Sequence, residues 1–344
     1  MSKANVVLAA IVLLCLSLSA QADVFNLGPG LTNLETVLVD DPGNVGEPCG
    51  SGAGGIGPDR TCGAVGYEFY MGMHEVTAAQ YTDFLNHKAA TDPYGLYNSN
   101  MWTHSEGCKI ERLGDDGSHT YQVASDWANR PVNFVSFWDA CRFTNWLHNG
   151  QGAGSMENGA YPLNGYNNVD GRDILRSPGA KWFVPSEDEW YKCAYYRAGS
   201  RNAGYYDYAT RSHVAPSNQV VDPDPGNNAN YRVSGVYSIG APYYRTDAGR
   251  FTDSRSAYGA YDQTGNIAEW TDSFFDTGAP RVIRGGGYHQ SANYVRSNYS
   301  NSFSGPAQES QYYGFRVASA IPEPSSLIVL AGGLGPLLAL RRRR

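Results

Sequence analysis

Sulfur is the natural place to look first for chemistry in this chain. Six cysteines are present, and none follows Cys193. Thiolates are the ligands that soft metals such as Cu(I) require, so the last 151 residues offer no thiol site. There is no C-x-x-C spacing for zinc. The seven histidines, His74, His87, His104, His119, His148, His213 and His289, form no i,i+4 pair and read as solvated surface groups. Glu187, Asp188 and Glu189 read as charges stabilised at a helix N-terminus, not as an acid–base pair. No Ser/His/Asp order, phosphate-cradling glycine loop or pair of catalytic carboxylates is evident. What remains is a surface chemistry of contact. Tyr288, His289, Arg296 and Tyr299 fall in a stretch rich in Tyr, Asn and Ser, residue types that give adaptable contacts at modest entropy cost. They are the candidate ligand-binding residues, with framework packing as the alternative role.

The elements that must position such residues are few. Capping boxes announce three helices, at Thr77 with Gln80, Ser136 with Asp139, and Ser186 with Glu189. Their inward residues are predicted to be Tyr81, Phe84 and Leu85, then Trp138, Cys141 and Trp146, then Trp190 and Ala194. Strand candidates are short: Arg281–Arg284 and Gly314–Ala318 alternate. Long Gly- and Asn-rich loops fill the rest and need fastening. A bridge between Cys49 and Cys62 would close one of them. Cys141 and Cys193 read as buried helical thiols, and Cys108 as the unpaired cysteine. With 344 residues, 17% charged, 40 Gly and 25 Tyr, the chain is a loop-rich α+β domain rather than a bundle. A net charge of −7 argues against nucleic acid as a partner.

Both ends read as address labels. Lys3, the apolar run Val6–Leu18 and Ala20-Gln21-Ala22 form a secretory signal over residues 1–22. Residues 321–344 hold Pro322-Glu323-Pro324, an apolar run Leu327–Leu340 and Arg341–Arg344. That run reaches about 21 Å as a helix, short of a ~30 Å hydrocarbon core, with arginines on the cytoplasmic side. The tail resembles the PEP-CTERM sorting signal. The resemblance implies a short transmembrane helix, transient anchoring, cleavage by an exosortase-type protease, and release to the cell surface or beyond. Residues 23–64 read as an N-terminal extension with a Cys loop, and 65–320 as one domain.

Within that domain an ordered series of motifs stands out. It runs Glu75-Val76-Thr77, Pro131-Val132-Asn133, Trp138-Asp139-Ala140, Val184-Pro185-Ser186 and Glu189-Trp190. It continues through Asn230-Tyr231, Tyr258-Gly259, Gly265-Asn266, Glu269-Trp270-Thr271, Arg284-Gly285-Gly286 and Gly314-Phe315-Arg316. The series resembles the formylglycine-generating-enzyme, or sulfatase-modifying-factor, domain family, over roughly residues 65 to 319. The resemblance implies a C-type-lectin-like fold. It also implies a catalytic pair of copper-binding cysteines that oxidise a peptidyl cysteine to formylglycine with O₂. Here Ala292 and Ser297 fall near those two positions, so no copper is expected. An active oxidase is the competing expectation. The family's calcium set carries over as Asp262, Gly265, the carbonyl of Ile267, and Glu269, oxygen donors suited to Ca²⁺. A second set begins at Asn230 and the carbonyl of Tyr231. Ala268 replaces the family's usual Trp. The implied protein is a calcium-fastened, non-catalytic surface module for an extracellular polysaccharide or protein ligand.

Overall fold

The computed structural model describes residues 33–197, 204–276 and 278–321. The signal segment 1–22 and the sorting tail beyond Ile321 lie outside the described residues. Among the described residues no helix is long and apolar enough to cross a membrane.

Among the described residues four α-helices form, α1 (Ala78–Lys88), α2 (Asn100–Thr103), α3 (Phe137–His148) and α4 (Glu187–Tyr195), beside one 3-10 turn at Ser51–Ala53. Each of the three expected capping boxes closes in both directions. At α3 the shorter Asp still suffices, because Asp139 Oδ2 accepts from Ser136 N at 2.8 Å. α1 buries Tyr81, Phe84 and Leu85. Tyr81 and Phe84 pack on Phe143 of α3, with ring centroids 6.2 and 5.4 Å apart, and Phe84 also meets Trp146 at 5.3 Å. α3 is buried along its whole length from Phe137 to Leu147, not on one face only. Its polar residues are therefore spent inside: Asn145 Nδ2 donates to the carbonyls of Met156 and Tyr161. The single turn α2 has no capping signature in the sequence.

The strands are β1 (Thr36–Val39), β2 (Glu47–Cys49), β3 (Arg60–Cys62), β4 (Phe69–Gly72), β5 (Ile110–Leu113), β6 (Thr120–Val123) and β7 (Trp182–Phe183). They continue with β8 (Tyr196–Arg197), β9 (Gly204–Tyr205), β10 (Ala268–Phe274), β11 (Arg281–Arg284), β12 (Phe303–Ser304), β13 (Tyr313–Gly314) and β14 (Ala318–Ala320). One sheet has the order β1-β4-β14-β7 and a second β12-β11-β10-β13, with three separate hairpins. This is a loop-rich α+β fold. The boundary expected at residue 65 does not mark an edge of it. β1 pairs antiparallel with β4, from Thr36 opposite Gly72 to Val39 opposite Phe69.

Two strand expectations change in detail. Gly314–Ala318 is not one strand. Tyr313–Gly314 pairs parallel with β10, Ala318–Ala320 pairs with β4 and β7, and Phe315–Val317 crosses between the two sheets. Its alternation reflects burial on a crossing segment rather than two faces of one strand. Arg281–Arg284 does form β11, but all four residues are buried. The two arginines flank the apolar pair Val282-Ile283, so the strand does not alternate, and each arginine has its own buried partners. Arg281 lies over the Phe274 ring at 3.7 Å and donates to Asp272. Arg284 donates to Glu187 at 2.8 Å through Nε. Strand β10 itself carried no readable alternation.

Candidate functional site

The turn before β10 gathers the expected calcium residues. Asp262 and Gly265 both have positive φ, 61° and 86°. A Cβ on Gly265 would stand 2.2 Å from the Asn230 carbonyl oxygen, so only glycine lets the two segments touch. They do touch: Asn230 bridges Gly265, and Asn266 N donates to Asn230 O at 2.7 Å. The two sets read separately from the sequence thus lie side by side.

Glu269, at the start of β10, is fully buried and already engaged. Arg316 donates to its two oxygens at 2.5 and 2.7 Å, and Trp190 Nε1 donates at 2.7 Å. These use three of roughly four lone-pair sites on a carboxylate. Asp262 Oδ2 accepts from Gly249 N at 2.6 Å, and burial lifts its pKa to about 6. Glu75 accepts from Asn266 Nδ2 at 3.0 Å. Burial, reinforced by Asp262 and Glu269, drives its pKa well above the carboxylate range. Two buried carboxylates, Glu75 and Glu269, and the half-buried Asp262 therefore lie near one guanidinium, which among them hydrogen-bonds Glu269. Glu75 Oε2, Asn230 Oδ1 and Gln263 Oε1 are buried in this neighbourhood with no hydrogen-bond donor. Ile267 is buried beneath the turn, and the Tyr231 carbonyl receives only long bonds, 3.3 Å from Asn218 Nδ2 and 3.4 Å from Ser238 Oγ. Among the described residues no three His, Cys, Asp or Glu side chains converge as a metal cage. Oxygen donors in surplus suit a hard cation completed by carbonyls, as for Ca²⁺, in which Glu269 has little capacity left to give.

The four contact candidates separate. Tyr288 is buried, and its hydroxyl donates to Glu106. Its ring meets Tyr244 at 5.6 Å, Tyr237 at 6.3 Å and Tyr312 at 6.0 Å. His289 stacks on Tyr312 at 3.8 Å. Burial pushes its pKa down to about 4, so the ring is neutral near pH 7. Tyr237, Tyr244, His289 and Tyr312 are half-buried and present a continuous aromatic surface with Tyr288 as its base. Beneath it Arg245 is fully buried, donating Nη1 to the Glu106 carbonyl at 2.8 Å. Arg296 instead serves the framework through Asp207 at 2.9 Å. Tyr299 meets Tyr294 at 5.0 Å, on the far side of the loop's closing segment. Glu106, Tyr237, Tyr244, Arg245 and Tyr312 sit in loops without periodicity, so no local pattern joins them.

The histidine expectation needs correcting. Only His87 and His213 are exposed among the described residues. His119 is buried beside Asp116, while His74 stacks on Tyr261 at 5.1 Å, where burial lowers its pKa to about 4 and keeps its ring neutral near pH 7.

Glu187, Asp188 and Glu189 do stand at a helix N-terminus, but their roles are more specific. Glu187 pairs with Arg60 and Arg284, Asp188 accepts from Gly63 N at 2.7 Å, and Glu189 pairs with Arg176 at 3.0 Å. Cys49 and Cys62 form a disulfide, while Cys108, Cys141 and Cys193 are free and buried. Burial raises all three thiol pKa values, that of Cys193 to about 12, so none is a thiolate near pH 7. Near the two positions that the resemblance assigns to sulfur, Ala292 packs beside the buried cluster of Tyr208, Tyr231 and Val295, and Ser297 N donates to the Asp207 carbonyl at 2.9 Å. An open cavity of about 410 Å³ lined by Tyr67, Phe69, Arg176 and Phe183 includes none of the contact residues.

Comparison with known proteins matches the sulfatase-modifying factor enzyme 1-like domain over residues 45–321. A search of curated proteins returns no match. The crystal structure of CarF is similar at TM-score 0.51 and 21% identity, covering 84% of this chain and 99% of that one. Treponema denticola variable protein 1 is similar at TM-score 0.51 and 18% identity, covering 84% of this chain and 95% of that one. PvdO from Pseudomonas aeruginosa gives a TM-score of 0.49 at 19% identity over 84% and 95%. At such identities the likeness concerns the fold.

Proposed function

The chain belongs to the sulfatase-modifying factor enzyme 1-like domain family, and from that premise we propose that it is a non-catalytic binding module of an exported protein. The observation that carries this reading is the missing sulfur. Loop 287–300 holds no cysteine, and every free thiol among the described residues is buried and protonated. A hydroxyl cannot replace a thiolate toward Cu(I). The scaffold is thereby left with a shaped surface, and Tyr237, Tyr244, His289 and Tyr312 are its contact groups. Stacking rings backed by Glu106 and Arg245 suit an extracellular polysaccharide or a protein loop.

Calcium is part of the proposal. Asp262, the carbonyls of Gly265 and Ile267, Asn230 and the Tyr231 carbonyl would hold it, with Glu269 limited to its remaining lone pair. Bound Ca²⁺ supplies positive charge that offsets the surplus of buried carboxylates and fastens segment 230–231 to turn 262–269. Export by residues 1–22, transient anchoring by residues 321–344 and trimming by an exosortase-type protease complete the reading.

Family membership keeps one rival reading in play, an oxidase acting on a peptidyl cysteine. Incubating the mature chain with a cysteine peptide, Cu(I) and O₂ distinguishes the two. The module reading expects unchanged peptide mass, and conversion to the aldehyde overturns it.

A further inference from the structure

The glycine-rich hairpin β2–β3 does more than close on itself. Its tip lies along segment 297–301, the closing arm of contact loop 287–300. Gly50 N donates to Asn298 O at 3.0 Å, Ser300 N donates to Ile56 O at 2.8 Å, and Asn298 Nδ2 donates to Ala53 O at 3.0 Å. Ser300 Oγ reaches Pro58 O at 2.5 Å, and Arg60 Nη2 reaches Ser300 O at 3.0 Å. The approach is backbone to backbone: a Cβ on Gly55 would stand 2.0 Å from Asn298 O.

The inner side of the same segment is held by Arg284, which donates Nη1 to the carbonyls of Ser297, at 3.2 Å, and Tyr299. Arg284 Nη2 lies 3.3 Å from Cys62 Sγ. Segment 297–301 is thus gripped between one arginine and one hairpin, and the Cys49–Cys62 bond ties the two strands of that hairpin together.

We propose that this hairpin is an oxidation-dependent latch: formation of the Cys49–Cys62 bond fixes loop 287–300, so the arm that carries His289 into the contact surface is held in place only in the oxidised chain. Closing the latch joins the two Sγ atoms and passes two electrons and two protons to a partner disulfide, which leaves as a dithiol. A small dithiol reverses the step with the same balance. Because both cysteines are only 1% exposed, the closed latch resists reductants once the domain has folded.

The inference rests on the contact-surface reading only for what the loop serves, since its test needs no ligand. Hydrogen exchange would be followed by mass spectrometry in the oxidised chain, in Cys49→Ala/Cys62→Ala, and in Gly55→Ala with the disulfide intact. The expected result is at least about tenfold faster exchange across peptide 287–301 in both variants, with helix α3 and strand β10 unchanged. Exchange at 287–301 that stays slow in a folded variant overturns the latch. So does acceleration by the same factor everywhere. Failure of both variants to fold also overturns it, since the hairpin would then belong to the folding core.

Discussion

Glu269 and Arg316 meet as a two-point ion pair in which neither side chain is exposed. Glu269 opens strand β10, and Arg316 sits on the segment that crosses from the second sheet to the first. Arg316 also donates to the carbonyls of Gly72 and Tyr261, each at 3.0 Å. One guanidinium thereby ties both sheets and the turn that leads from Tyr261 into β10 together. Desolvating such a pair is costly, but removing one partner strands a buried charge, which costs more.

Arg316→Met should therefore destabilise the domain by about 3–5 kcal/mol. Asp222→Asn, which breaks the exposed and solvent-screened pair with Arg250, should leave the denaturation midpoint nearly unchanged. Urea denaturation of the two variants checks the contrast, and equal losses would contradict the assignment.

Calcium should raise the melting temperature relative to chelator. At a hundredfold excess over Kd the gain is about 2.7 kcal/mol. Asp262→Ala should abolish the response, while Asp222→Ala, away from the turn, should keep it. A chelator-insensitive melting curve in the parent chain would remove the metal from the proposal.

Stability should fall as pH rises from about 4 to about 8. Burial, with help from Glu309, lifts the Asp139 pKa to about 8, and burial lifts that of Asp272 to about 6. A folded-state pKa above the unfolded value near 3.9 means the fold holds the proton more tightly. That stabilisation is complete below the unfolded pKa and lost as pH climbs through the folded one. Asp139→Asn keeps an acceptor for Ser136 N and should flatten the dependence in a pH series of denaturation curves.

Tyr244→Ala and Tyr312→Ala should each weaken a ligand selected from a glycan array by roughly 1 kcal/mol, about fivefold in Kd. Arg296→Ala, on the framework side, should leave the affinity unchanged. Calorimetry on the three variants tests which residues form the contact surface.

The sequence made the helices and the family legible because their signals are local. Thr77/Gln80, Ser136/Asp139 and Ser186/Glu189 each write a helix start within four residues. The turn from Asp262 to Glu269 was legible for the same reason. Its partners were not: nothing near Glu269 announces Trp190 or Arg316 as the donors that occupy it. The aromatic surface was half legible, since Tyr288 and His289 share a segment while Tyr237, Tyr244 and Tyr312 arrive from other loops. Histidine burial was missed because polar sequence neighbours say nothing about neighbours across the fold. Strand β10 was hidden because both its faces are covered near Glu269 and Trp270, which erases alternation.

The sheet order β1-β4-β14-β7 has a consequence for folding. Its third strand, Ala318–Ala320, is the last in chain order among the described residues, yet it joins β4 to β7. Until those residues are delivered, half the architecture has no central seam, and pairings this distant in sequence form slowly. Completion of this sheet therefore waits on a strand nearly 250 residues downstream of β4, so removing Ala318–Ala320 should leave β4 and β7 unjoined.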